Sequence, residues 1–328
     1  MTELRRRLFC RRRPSSIWVK VSHMSPQQTR EVSFLGPPPI DANARAEKPK
    51  GDVNLTAKKR KPWGRWGVRT VALTYLTLML IIPLLVVFQD GLRGGLDGLW
   101  QAVTQPVAWS ALKLTLWTSA VMVAINTVMG TLTAYVIVRY DFRGKSLLNA
   151  VIDVPLAIPT LVTGVMLVIL YGPQEALGGW LEHTLGWRII FAPPGIILAL
   201  LFVTFPFVVR AVQPVLLGLD RAVEDAAATL GAGPWTIFRR VTLPALILPL
   251  TGGALLSFAR AVGEFGAIII VAGNIPLYSQ TAAVYVWGEV ESENRLGASA
   301  VSVALLTIAF GLIMLVSLIQ SRQHEEIE

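Results

Sequence analysis

Asp220 to Pro244 reads DRAVEDAAATLGAGPWTIFRRVTLP, a long polar segment set between two strongly apolar ones. Asp220 suits a helix N-cap, where its side-chain oxygen accepts from a backbone N–H left unpaired at the helix start. Val223, Ala226, Ala227 and Leu230 then recur at helical spacing. Gly231 and Gly233 break that helix, because glycine tolerates the backbone angles of a tight turn. Pro234 suits the first position of a second helix, where its missing N–H leaves nothing unpaired. Trp235, Phe238 and Val241 give the second helix an apolar stripe, with Arg239 and Arg240 off it. Pro244 ends this helix or kinks it into the next apolar run. The stretch predicts a helix–turn–helix knob at a membrane face; the same residues fit a plain loop between spans equally well.

The rest of the chain supplies the membrane. Of 328 residues, 53% are hydrophobic and 16% charged, with mean hydropathy +0.55. A soluble domain carries about a quarter charged residues, so most of this chain belongs in lipid. Apolar stretches long enough to span a bilayer fall at Val68–Gln89, Leu112–Val138, Val151–Tyr171, Gly195–Val212, Leu246–Ala272 and Ala298–Ile319. They predict an all-α polytopic protein with six transmembrane helices, and Pro206 interrupts the fourth. Asn126 and Asp153 are compatible with their spans if they face protein.

Domain organisation follows from composition. Residues 1–62 are basic and lack periodicity, and Pro37-Pro38-Pro39 lies among them. They read as a disordered cytoplasmic tail, with a transit peptide or a true start at Met24 as alternatives. Residues 63–322 form the transmembrane domain and 323–328 a short C-terminal tail. The net charge of +9 gathers in the first segment, at Arg5 to Arg7, Arg11 to Arg13 and Lys58 to Lys61. Basic residues beside a first span follow the positive-inside rule, and the tail has no nucleic-acid-binding motif. The loop after the second span holds Arg139, Arg143 and Lys145, and the knob region holds Arg210, Arg221, Arg239 and Arg240. The alternate loops are poorer in cations, and Glu289, Glu291 and Glu293 crowd the last. Both termini and the knob are therefore expected in the cytoplasm.

Catalytic chemistry finds no support. Cys10 is the single cysteine, and His23, His183 and His324 are scattered. Gly144-Lys145-Ser146 resembles the end of a phosphate-binding loop, but the motif needs a glycine at position 139, which is Arg. The chain thus has no nucleotide site of its own. Arg260 and Glu264 lie in the fifth predicted span, where a central charge costs about 2.5–3.5 kcal/mol on insertion scales. They are either a self-neutralised pair that locks helices or the lining of an anion path. Gly263, Gly266 and Ala267 allow close helix packing around them. Gly273-Asn274-Ile275-Pro276 marks an outer turn, Thr281 to Leu296 a short re-entrant or surface helix, and Trp180 and Trp187 interface anchors.

A resemblance sharpens the knob. Asp225-Ala226-Ala227, three residues, Gly231, nine residues, then Val241-Thr242-Leu243-Pro244 is similar to the EAA loop of ABC-importer permeases. Asp225 stands where the family pattern has Glu, and Val241 where it has Ile; Glu224 directly precedes the motif. The resemblance implies that the knob docks into a groove on a separate ATPase subunit. Glu224, Asp225, Ala226, Ala227, Gly231, Val241, Leu243 and Pro244 are then the coupling residues.

Further segments resemble the sulfate and molybdate class of these permeases, from about residue 65 to 322. They are residues 139–145, Asp153-Val154-Pro155, Pro206 to Arg210, and Arg260 to Ala267. Within the class, residues 212–216, 272–276 and 285–295 are most similar to the T-type subunit of sulfate/thiosulfate importers. This implies a type I ABC-importer permease fold in a bacterial inner membrane. It implies as partners a second, W-type permease subunit, two ATPase copies and an extracytoplasmic sulfate/thiosulfate-binding protein. ATP and Mg would be bound by the partner ATPase, with no cofactor or metal in this chain. A molybdate or tungstate permease, or the W-type subunit itself, is the near alternative. A self-contained secondary transporter is the remote one; it predicts an internal repeat and several intramembrane carboxylates, of which only Asp153 and Glu264 appear.

Overall fold

A computed structural model describes the backbone of residues 63–325 and the side chains of 67–314. The expected tail, residues 1–62, lies outside the described residues, with Cys10, His23 and Met24; so do residues 326–328. Helices make up the regular structure, with no strand among the described residues.

Long apolar helices form the frame: α1 Gly67–Gly91, α3 Pro106–Arg139, α7 Pro193–Gly218, α9 Pro234–Val262 and α12 Arg295–Glu325. Shorter helices join them: α2 Gly95–Thr104, α4 Lys145–Ala157, α5 Thr160–Tyr171, α6 Ala176–Leu185, α8 Arg221–Thr229, α10 Gly266–Ala272 and α11 Ala282–Glu291. Among the described residues five helices are long and apolar enough to cross a membrane, and the number reaches six when the bent pair α4 and α5 is taken as one span.

Three helices meet at Val208 of α7. A Cβ on Gly130 of α3 would lie 3.0 Å from the Val208 side chain, and one on Gly253 of α9 would lie 3.2 Å from the Val208 Cα. Glycine lets all three backbones approach, as small residues do where lipid gives no hydrophobic drive between helices. Asn126 of α3 donates to Thr204 Oγ1 of α7 at 2.9 Å, so this intramembrane amide faces protein as expected. Helix α1 is peripheral. It is exposed over its first half, half-buried at Leu84, Val87, Phe88 and Asp90, and buried at Gly91, where a Cβ would sit 2.9 Å from Val303 of α12.

The third, fourth and fifth spans differ in course from the sequence expectation. The third span is bent by 109° between α4 and α5. Ile158 is extended at φ −82°, ψ 130°, as a residue before proline tends to be, and Pro159 starts the new direction. Pro206 leaves α7 unbroken, because packed neighbouring helices tolerate proline inside a membrane. The fifth span stops at Val262 rather than reaching Ala272, and Gly263 to Phe265 separate α9 from α10.

The fifth span also starts earlier than Leu246. Helix α9 runs from the knob into the membrane without a stop at Pro244. A π turn over Phe238–Thr242 precedes that proline, and Leu243 N–H reaches back to Phe238 O. The widened turn relieves the clash that a proline ring makes with the carbonyl one turn back.

Candidate functional site

The knob is built as its residues dictate. Asp220 accepts a hydrogen bond from Ala222 N–H at 2.9 Å and caps α8. The other end closes in a Schellman motif, with Ala232 N–H donating to Ala227 O at 3.1 Å and Gly231 N–H to Ala228 O at 2.9 Å. That closure requires a left-handed residue, and Gly231 has φ +86°. Gly233 is the extended N-cap of α9, and Pro234 is its first residue.

Apolar side chains cover the knob's outer face. Leu230 is 88% exposed and Trp235 71%, and Val223 is exposed beside them. Asp225, Ala226 and Gly231 are exposed too, while Ala227, Val241 and Leu243 are half-buried and Pro244 lies at the surface. Large apolar side chains left this exposed on a polar segment mark an interaction surface.

Glu224 faces the other way. Its Oε1 accepts from Arg139 at the end of α3 (2.7 Å) and from Thr242 Oγ1 in the π turn (2.9 Å). The two charged side chains are only 8% and 14% exposed. Arg221 donates to Val138 O and Arg139 O, the last carbonyls of α3. Tyr135 of α3 packs edge-on against Phe238, which stacks on Trp235. The proposed coupling residues therefore divide, Asp225, Ala226 and Gly231 outward and Glu224 inward.

Arg260 and Glu264 come together as their spacing predicted, at 2.6 Å. The Glu264 side chain is 1% exposed and that of Arg260 36%. The second Glu264 oxygen accepts from Ala267 N–H at 3.0 Å, so this carboxylate also caps α10. Gly266 sits against Thr160 of α5, and a Cβ on Gly164 of α5 would lie 2.7 Å from Ala267 O. The helix break is thus locked from both sides.

Gly144 has φ +90° and opens α4, and Lys145 pairs with Asp141 at 2.8 Å. The hydrogen bond and charge of Lys145 hold the exposed Asp141 carboxyl below its usual range. Gly144 and Lys145 stand at a helix start. No group of three or more His, Cys, Asp or Glu suited to a metal occurs among the described residues.

The family described as the inner membrane component of binding-protein-dependent transport systems matches residues 126–324. The chain belongs to this family. This permease is 38% identical over 271 residues to the probable sulfate transport system permease protein cysT of Nephroselmis olivacea, covering 83% of this chain and 94% of that protein. It is also 38% identical over 247 residues to the sulfate transport system permease protein CysT of Synechococcus elongatus, covering 75% and 88%. Among solved structures, it resembles a chain of a bacterial alginate ABC transporter in complex with an alginate pentasaccharide-bound periplasmic protein. The TM-score is 0.68 at 16% identity, over 82% of this chain and 97% of that one. The permease is a multi-pass membrane protein with the type I ABC-importer permease fold.

One polar cluster of the permease escaped the sequence reading. Arg210 of α7 donates through Nε and Nη2 to both oxygens of Asp153 on α4, at 2.8 and 2.6 Å. Its remaining N–H groups reach Asn149 Oδ1, Asn149 O and Gln213 Oε1. The available signal was one cation and one carboxylate, each in an apolar stretch, but 57 positions apart.

Proposed function

We propose that this chain is a membrane-spanning subunit of an ATP-driven importer that carries sulfate or thiosulfate into the cytoplasm. The apolar outer face of the knob, held on the Gly231 turn at the motif spacing, carries this reading. The sulfate assignment rests on relatives at 35–39% identity that are named sulfate transport permeases.

Partners follow from the resemblance. A second, W-type permease subunit completes the path, two ATPase copies sit against the knobs, and an extracytoplasmic binding protein delivers the oxyanion. ATP and Mg belong to the ATPase. The cations Arg139, Arg143, Lys145, Arg239 and Arg240 at the knob end, against Glu289, Glu291 and Glu293 at the other, support a cytoplasmic knob.

The mechanism is a shift between inward-open and outward-open states. ATP closes the ATPase dimer and displaces the docked knobs. Because α9 is continuous from Pro234 to Val262, displacement of the knob tilts the fifth span. The nucleotide shifts the equilibrium only through its differential contacts with the two states. Arg260 lines the path in this account. Glu264 fixes one edge of its guanidinium, and the exposed part offers planar, permanently charged donors to a tetrahedral dianion.

Labelled sulfate uptake in cells carrying this chain with its partner permease, ATPase and binding protein tests the proposal. Uptake that needs the ATPase and resists excess molybdate is expected. Uptake by this chain alone overturns the importer reading, and strong molybdate competition reassigns the substrate.

A further inference from the structure

We infer that Arg139 and Glu224 form a strap that makes the end of α3 move with the knob, so that the second span carries the coupling signal beside the fifth. This rests on the ATP-driven importer proposed above. The chain itself connects the knob only to α7, through Leu219 and Asp220, and to α9. Helix α3 is reached through space, by three kinds of contact in one turn. Glu224 takes the Arg139 charge at 2.7 Å. Arg221 caps the carbonyls of Val138 and Arg139 at 3.1 and 3.3 Å. Tyr135 sets its ring edge-on to Phe238, with centroids 5.6 Å apart.

Glu224 is the joint of this assembly. One of its oxygens, Oε1, holds both Arg139 of α3 and Thr242 in the π turn of α9. The first knob helix, the second knob helix and the end of α3 therefore converge on one atom. Arg139 meets it through Nη2, while its buried Nε has no hydrogen-bond partner. A single-point attachment leaves the guanidinium able to turn about the carboxylate as the helices tilt. A buried pair of this kind is costly to break from one side, since the remaining charge is left uncompensated. Glu224 thus acts as a positioning residue, distinct from the neighbouring Asp225 on the exposed side.

Beyond the strap, α3 meets α7 at Gly130 and Val208 and through Asn126 and Thr204. Motion of its cytoplasmic turn therefore reaches the helix interface at mid-span.

Two measurements on the assembled complex test the strap. Glu224→Gln keeps the shape and loses the charge. Sulfate imported per ATP hydrolysed should fall by about two- to thirty-fold, the range that substitutions along coupling networks produce, with hydrolysis retained. A wild-type ratio in this variant overturns the strap. Spin labels at Val136→Cys and Thr229→Cys, in a Cys10→Ser background, leave the contact intact and decide the matter even if Glu224→Gln fails to assemble. Their separation should stay constant between the nucleotide-free complex and one trapped with ATP and vanadate. A shift of a helical turn, about 5 Å, overturns the proposal. Absence of ATP-driven uptake in the wild-type complex is a different result and defeats the importer reading instead.

Discussion

Arg210 and Asp153 lock α7 to α4 with a two-pronged ion pair, and Asn149 and Gln213 take up the rest of the guanidinium donors. The pair sits just before the 109° bend that turns the third span at Ile158 and Pro159. It fixes the direction of α4 against a long, unbroken neighbour, so the bend has a rigid base.

Arg210→Lys should weaken that base, because an ammonium cannot reproduce the fork. The side chains are partly open, so the loss lies between that of an exposed pair and a buried one, at roughly 1–2 kcal/mol. The check is a lower melting temperature of the purified complex in detergent. An unchanged melting temperature contradicts the assignment.

Gly231 separates backbone strain from steric blockade. Nothing lies within 4 Å of a Cβ built there, and φ is +86°. Gly231→Ala should therefore cost only the left-handed backbone, about 1–2 kcal/mol, and leave uptake largely intact. Gly231→Trp should insert normally but project from the docking corner, so that ATPase activity no longer responds to the binding protein. Membrane insertion and binding-protein-stimulated hydrolysis, measured together, distinguish the two. Normal uptake by Gly231→Trp would remove the knob from the mechanism.

Arg260 and Glu264 can be tested as lock against path. Arg260→Met alone should destabilise by about 3–5 kcal/mol, because it strands a buried carboxylate. Arg260→Met with Glu264→Met should recover much of the yield of folded complex, as apolar replacement of both partners often does when one of them is buried. If Arg260 serves the anion, the double variant still transports no sulfate. Full transport by the double variant would reduce the pair to a structural lock.

Tyr285 predicts an alkaline limit. Burial pushes its hydroxyl up to about 12 from an ordinary 10.0, with the charge of Glu289 and a hydrogen bond to it adding to the shift. The folded state thus holds this proton more tightly than the unfolded state. The stability it confers is complete below pH 10.0 and drains away as pH rises toward about 12. Tyr285→Phe should flatten that decline, which melting curves across this window can follow.

The sequence carried the number of spans and the knob because both rest on local rules. A run of apolar residues fits the bilayer, and Asp220, Gly231 and Pro234 each suit one backbone position. Direction was not legible. Hydropathy over 151–171 is the same whether the helix is straight or folded back at Pro159, and the turn is held by contacts distant in sequence, such as Gly266 against Thr160. Glu224 and Asp225 are adjacent letters, but about 100° apart around a helix. Which of them faces α3 depends on Arg139, 85 positions away. A separation of 57 positions likewise hid the partnership of Arg210 with Asp153.

The most direct measurement is sulfate uptake into proteoliposomes that hold this chain with its partner permease and ATPase, with binding protein on one side and ATP on the other. The account predicts uptake only when ATP is on the knob side and the ATPase is present. Uptake by this chain in lipid alone, without ATPase or ATP, would contradict it.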